Sequence, residues 1–293
     1  MNLSIKNQKN LPKMNQYKAK QFFIDILIYL FLVLFTLAVI YPILNVVSIS
    51  LRPADKLLST SLRIIPENAT LSSYIQLFKS TPFLRWLFNS TFVSFVVMLT
   101  GVTLASTAGY ALSRFSFWGK KAVMIGILIT QMFPATMLLL PLYIMLIKLH
   151  LLNSYLGLII VYTSTALPFC VWQMKGYYDT IPVSLEEAAR IDGCNQFQAF
   201  YKVVFPLALP ALVITALFSF MSAWAEYVVA AQILQEPELY TLAIGLKQFE
   251  SSMATEWGLY AAGSLIVSIP AVLLFLILSK YLISGLTLGS VKG

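Results

Sequence analysis

Three observations predict an all-α membrane protein with six transmembrane helices. Of the 293 residues, 59% are hydrophobic and only 11% are charged, a balance typical of helices that face lipid. Six stretches lack Asp, Glu, Lys and Arg altogether, over 26–51, 86–113, 122–147, 149–174 (where His150 lies), 203–225 and 257–279. Each exceeds the roughly 20 residues a helix needs to cross hydrocarbon. The runs show neither the alternation, in segments of about ten residues, of a membrane barrel nor the polar face of a helix on a water-soluble core.

Taken in order, residues 1–21 form a basic tail holding Lys6, Lys9, Lys13, Lys18 and Lys20, ahead of a first transmembrane helix at 22–50. That run is longer than the roughly 7–15 apolar residues of a secretory signal and lacks a small-residue cleavage site, so it is expected to stay as an anchor. The loop at 51–85, with Pro53, Pro66, Pro82 and many Ser and Thr, reads as an irregular external cap with a short helix in it. The five other spans make a single core over 86–284, the third and fourth joined by a tight hairpin at Lys148 to Asn153. Glu226 to Glu256 forms a second external stretch, carrying Pro237 and Gly245, that dips back toward the membrane. Residues 285–293 are a C-terminal tail.

Lys and Arg resist translocation, so their distribution orients the chain. With the N-terminus inside, thirteen of the 20 Lys and Arg residues fall on the cytoplasmic side and seven outside, against five and seven of the 12 acids. Both termini are therefore expected in the cytoplasm. The net charge of +8 is read as this topology signal and not as a nucleic-acid footprint. Cys170 and Cys194 are expected to be reduced and unpaired on this topology.

No charge interrupts the six runs, whereas ion-coupled carriers hold ionisable groups at mid-depth. Energy is expected to come from another protein. Gln131, Ser222 and Trp224, with Glu226 closing the fifth run, are candidates for facing a polar or sugar cargo, though interhelical packing accounts for such residues equally well. One His, two separated Cys and no phosphate-binding glycine loop leave no constellation for catalysis, metal or nucleotide. No cofactor is expected in this chain. Glu186 and Glu187 are neighbours on a helix and point apart, so they cannot converge on a substrate.

The polar segment 184–206, SLEEAARIDGCNQFQAFYKVVFP, stands between two apolar runs. Ser184 and Glu187 match a capping box that would start a short helix, with Pro182 just upstream. Ala188 and Ala189 keep it thin, and Gly193 is suited to the left-handed turn that ends it. A second short helix over Gln196 to Val204 follows. An interfacial elbow on lipid would favour Lys and Arg; the acids here favour a protein partner.

Glu187-Ala188-Ala189, three residues, Gly193, nine residues, then Val203-Val204-Phe205-Pro206 resembles the EAA loop of ABC importer permeases. Residues 20–293 more broadly resemble the binding-protein-dependent sugar permeases of maltose/maltodextrin type, through Tyr110-Ala-Leu-Ser-Arg114-Phe, Leu140-Pro-Leu-Tyr143, Gly176-Tyr-Tyr-Asp179-Thr-Ile-Pro182 and Gly285-Leu-Thr-Leu-Gly289-Ser-Val-Lys-Gly293. The resemblance implies a type I ABC importer permease fold in a bacterial cell membrane, non-catalytic itself. It implies a second homologous permease subunit, two ATPase subunits that hold ATP and Mg, and an external solute-binding protein. Glu187, Ala188, Ala189, Gly193 and Pro206 would then form the ATPase-coupling element. The tail carrying Gly285, Gly289 and Lys292 would reach the ATPase pair, and roughly Gln232–Glu256 would meet the binding protein. An ABC permease for a different solute, or a self-powered carrier, are the competing readings.

Overall fold

The computed structural model describes residues 12–53, 65–250 and 255–288. Among these the chain is helical throughout, without strands. α1 (Pro12–Ser50) leads to α2 (Ser72–Ser80), the short helix of the first long loop. α3 (Phe83–Arg114), α4 (Lys120–Met132), α5 (Ala135–Lys148) and α6 (Tyr155–Thr180) follow. The polar segment holds α7 (Val183–Ile191), α8 (Gln196–Ala199), a π-helical turn (Phe200–Val204) and α9 (Phe205–Leu207). α10 (Leu209–Trp224), α11 (Val228–Ile233), a 3₁₀ turn (Pro237–Leu239), α12 (Leu242–Lys247) and α13 (Trp257–Leu288) complete it.

Among the described residues four helices are long and apolar enough to cross a membrane, namely α1, α3, α6 and α13, and two bent pairs bring the number to six if each pair is one span. The third and fifth apolar runs are thus broken where single helices were expected: the α4–α5 pair turns by 107° and the stretch Gln196–Leu207 meets α10 at 78°. Proline explains both. Pro134 stands extended between α4 and α5, and Pro206 and Pro210 flank the break at Ala208, where proline cannot supply the N–H that would carry a helix through. Pro42, Pro168 and Pro270 instead stay inside continuous helices.

α3, α6 and α10 form the centre of the bundle. A Cβ at Gly109 would meet Met174 Cβ at 2.8 Å and the Lys175 N at 3.0 Å, so glycine sets how closely α3 approaches α6. At one end of the bundle, Tyr110, Tyr178 and Phe200 pack with Met174, Val204 and Leu212 in a cluster that joins α3 and α6 to the polar segment. At the other end Trp86, Phe220 and Trp224 pack with Leu242, Leu246 and Leu259. α1 lies against α13, yet its apolar residues are exposed around the whole circumference from Lys20 through Ile43, for example Tyr29 and Phe31. A helix apolar on every side belongs in lipid or against another membrane helix.

The helical ends also depart from the sequence boundaries. α1 begins at Pro12, inside the basic tail, and α13 runs on to Leu288, so Gly285 is helical. Gly289 and Lys292 lie outside the described residues, as do Lys56 and Arg63 of the first long loop.

Candidate functional site: the knuckle between α6 and α10

The polar segment folds as a knuckle whose turn is specified twice. Gly193 adopts φ +91°, with its N–H on the Arg190 carbonyl at 3.1 Å and the Cys194 N–H on the Ala189 carbonyl at 3.0 Å. Those two bonds and the left-handed residue are a Schellman close to α7. Two residues on, the Asn195 side chain accepts from the Gln198 N–H at 2.8 Å while Gln198 Oε1 accepts from the Asn195 N–H at 2.9 Å. This reciprocal capping box starts α8. The box expected at Ser184 and Glu187 does not form. α7 starts two residues earlier, with Pro182 as its N-cap residue at φ −59°, ψ 130° and no side-chain cap, the non-helical backbone an N-cap position takes. Ser184 is left exposed within the first turn.

α7 is turned against the usual rule, burying an acid and exposing apolar residues. Glu186 is 7% exposed and Ala189 is buried beside it, whereas Ile191 is 86% exposed, Phe197 74% and Tyr201 62%. Glu187, Ala188 and Arg190 face outward with them. Of the two alanines, then, only Ala188 thins the outer face. Pro206 sits exposed in α9, just before the break into α10.

The buried acid has strong partners. Glu186 Oε1 pairs with Arg114 Nε, at the last residue of α3, and Glu186 Oε2 accepts from the Tyr110 hydroxyl at 2.6 Å. Arg114 also donates through Nη2 to the Ile181 carbonyl at 2.8 Å and through Nη1 to Ser113 Oγ at 3.1 Å. Ser113 in turn donates to Asp179 at 2.6 Å, which pairs with Lys175 at 2.5 Å. A buried carboxylate is tolerable only when paired and fully hydrogen-bonded, and this one is. Tyr110 further places its ring 4.4 Å from that of Phe200 and 5.9 Å from that of Tyr178. The end of α3 therefore grips both halves of the knuckle. Sequence reasoning assigned Arg114 and Glu186 no role. Adjacent helical positions lie about 100° apart, so the sequence carried no signal for which of the two acids is buried.

The cargo candidates are less unified. Gln131 is exposed on α4, its amide 3.5 Å from the Thr165 carbonyl. Ser222 bonds back to the Ser219 carbonyl at 3.0 Å. Trp224 is buried, stacked on Phe220 with centroids 5.3 Å apart, and donates to the Val267 carbonyl at 3.2 Å. Glu226 is held by the protein: its carboxylate takes the Tyr162 hydroxyl at 2.7 Å and the N–H groups of Val229 and Ala230 at 2.9 and 3.1 Å, closing the first turn of α11. Trp224 does line a cavity of about 500 Å³ at the end of the bundle away from the knuckle, with Tyr227, Tyr260, Ser264, Lys247 and Glu250. A hydrogen bond from Lys247 to Glu250, 2.6 Å long, holds that ammonium above its ordinary pKa.

The stretch between α10 and α13 is strapped to this far end. Asn89 donates to the carbonyls of Glu238 and Tyr240 at 3.0 and 2.9 Å, and Ser90 accepts from the Leu242 N–H at 2.7 Å. Asn153 accepts from the N–H groups of Gln235 and Glu236 at 2.9 and 3.2 Å. Gly245 lies flat on the Trp86 ring, with no room for a Cβ. Within this stretch α11 and α12 form, and their Val229, Ile233, Leu242 and Leu246 are buried.

Residues 100–287 match the family model for the binding-protein-dependent transport system inner membrane component. The chain belongs to that family. It is similar to the maltodextrin transport system permease protein MdxG of Bacillus subtilis, 36% identical over 267 residues that cover 90% of this chain and 95% of the relative. The maltose/maltodextrin transport system permease protein MalG of Escherichia coli is 36% identical over 284 residues, covering 90% and 95%. Among solved structures, a bacterial ABC transporter involved in the import of the acidic polysaccharide alginate contains a chain that superposes with a TM-score of 0.78 at 25% identity, covering 89% of this chain and 97% of that one. Members of the family are membrane subunits of importers whose ATP hydrolysis resides in separate ATPase subunits. This permease is a multi-pass protein of the bacterial cell membrane and is not itself an enzyme.

Proposed function

We propose that this permease carries an oligosaccharide delivered by an external binding protein, and that separate ATPases drive it through the knuckle. The observation that carries the reading is the inverted α7, which buries Glu186 and presents Glu187, Ala188 and Ile191 outward. An exposed apolar patch rimmed by charge is the mark of a protein-docking surface. Two ATPases with ATP and Mg, and a second homologous permease against the exposed α1, complete the assembly. Glu187 is the polar contact with the ATPase, Gly193 sets the turn, and Pro206 bends the exit into α10. The C-terminal segment carrying Gly285, Gly289 and Lys292 is the part of the chain that reaches the ATPase pair.

Six passes follow if each bent pair is one span, which puts both termini with the knuckle in the cytoplasm. The cations Arg114, Lys120, Lys121, Lys175, Arg190 and Lys202 near that end support this orientation. The opposite end then faces the binding protein through the strapped segment up to Glu256. Trp224 and its cavity, with Ser222 and Glu226 nearby and Gln131 at the α4–α5 break, are the candidate cargo-facing positions. The aromatic faces and hydroxyls there suit sugar rings, and the similarity to maltodextrin permeases favours a neutral glucan.

The test uses the assembled complex in lipid vesicles, with ATPase measured against binding protein loaded with a linear maltodextrin, an alginate oligosaccharide or an amino acid. Stimulation on the order of tenfold by the maltodextrin-loaded protein alone is the expected result. Stimulation confined to alginate would move the cargo to uronate-containing sugars. A response to the amino acid only would overturn the sugar assignment.

A further inference from the structure

α3 is the longest helix of the central bundle and carries no proline in its 32 residues, while α1, α6 and α13 each contain one. At the helical rise it spans about 48 Å, enough to cross the bilayer. What distinguishes it is that both ends are fastened by directional side-chain bonds to the two segments on which outside proteins would act. At the knuckle end, Arg114 and Tyr110 share the Glu186 carboxylate, and Arg114 also holds the Ile181 carbonyl. Arg114 and Glu186 are 8% and 9% exposed at their side chains, so water does not loosen the pair. At the far end, Asn89 holds the Glu238 and Tyr240 carbonyls, Ser90 holds the Leu242 N–H, and Arg85 reaches Glu238 through both its carbonyl and its carboxylate. Between the ends, the helix is packed along its length by α6 and α10.

We propose that α3 is a strut that carries displacement between the knuckle and the external strap, with Arg114–Glu186 as its inner joint and Asn89 as its outer joint. The inference rests on the reading of the knuckle as the ATPase contact. An unbroken helix with fastened ends moves as a unit, so a push on α7 shifts the strap, and a load on the strap shifts α7. Arg114, Glu186 and Asn89 are positioning residues: they touch neither cargo nor nucleotide in this scheme. An intact joint at each end is required, so losing either should have the same effect as losing both, and non-additivity of that kind is the signature of one shared route.

The experiment is a double-mutant cycle in the reconstituted complex, using Glu186→Gln, which keeps the hydrogen-bonding shape, and Asn89→Ala. The readout is the stimulation of ATPase by maltodextrin-loaded binding protein, normalised to each complex's own basal rate. Each single variant should lose at least about fivefold of the stimulation, and the double variant should match the worse single within about twofold. Wild-type stimulation in either single variant, or a double variant at the product of the two losses, overturns the strut. If Glu186→Gln fails to assemble, Arg114→Lys replaces it, keeping the charge but not the second arm to Ile181. A second arm needs no cargo: a thiol placed on the strap by Gln235→Cys should change its labelling rate when the ATPases are trapped with ATP and vanadate, and Asn89→Ala should abolish that change. An unchanged response in Asn89→Ala overturns the strut. A wild-type complex that responds to trapping but to no sugar-loaded protein would instead sink the cargo reading alone.

Discussion

Glu186 and Glu187, adjacent in the chain, should give opposite phenotypes when each is replaced. Glu186→Ala removes the carboxylate that receives Arg114 and Tyr110 and leaves a guanidinium buried without its counter-ion. Breaking one side of a buried pair costs about 3–5 kcal/mol, comparable to the whole stability of many folded domains. The variant should accumulate poorly in the membrane and be cut rapidly by protease. Glu187→Lys changes a residue that faces outward and has no buried partner to abandon, so the permease should accumulate normally. ATP-dependent uptake should nevertheless fall by at least tenfold, because the reversed charge now faces the ATPase. Quantitative immunoblotting of membranes beside uptake rates checks both. Equal expression defects would mean that the two acids share one structural role.

The second large effect is at the turn. No atom lies within 4 Å of a Cβ built at Gly193, and its φ is +91°, so the cost of a side chain there is conformational and not steric. Gly193→Ala should therefore cost about 1–2 kcal/mol, the left-handed penalty of an L-residue, and leave most transport intact. Gly193→Pro is a different change. Its ring fixes φ at about −65°, removes the N–H that closes on Arg190 and forces the preceding Asp192 away from its φ −74°, ψ 9° toward extended backbone. The knuckle would then point α8 elsewhere while the six apolar segments still insert. The expected result is a complex with normal membrane levels whose ATPase no longer responds to binding protein, measured as the ratio of stimulated to basal hydrolysis. Proline behaving like alanine would show that the direction of this turn does not matter.

Much of the fold was legible because hydrocarbon imposes one rule on every span, an uninterrupted apolar run, and all six runs became helical. The breaks in two of them were not legible. Pro134 and Pro206 accompany sharp turns while Pro42, Pro168 and Pro270 sit in continuous helices, so a proline inside an apolar run does not by itself say which helix breaks. In the knuckle, Gly193 was readable from local chemistry, but the helix start was misplaced because Pro182 competes with Ser184 for it. The Arg114–Glu186 pair spans 72 positions, and no periodicity reports a contact so distant. Glu226 showed only as a carboxylate at the end of an apolar run; that it closes α11 and takes the Tyr162 hydroxyl depends on a helix that the sequence reading did not assign within the second external stretch.

The central claim is that motion enters this permease at the knuckle from a motor the chain does not contain. The direct measurement is accumulation of radiolabelled maltodextrin in sealed vesicles. Purified permease alone is compared with the complete complex, each with the binding protein present, with and without ATP. The account predicts accumulation only by the complete complex with ATP, and none by the isolated chain under a proton or sodium gradient. Concentrative uptake by the isolated chain would contradict it.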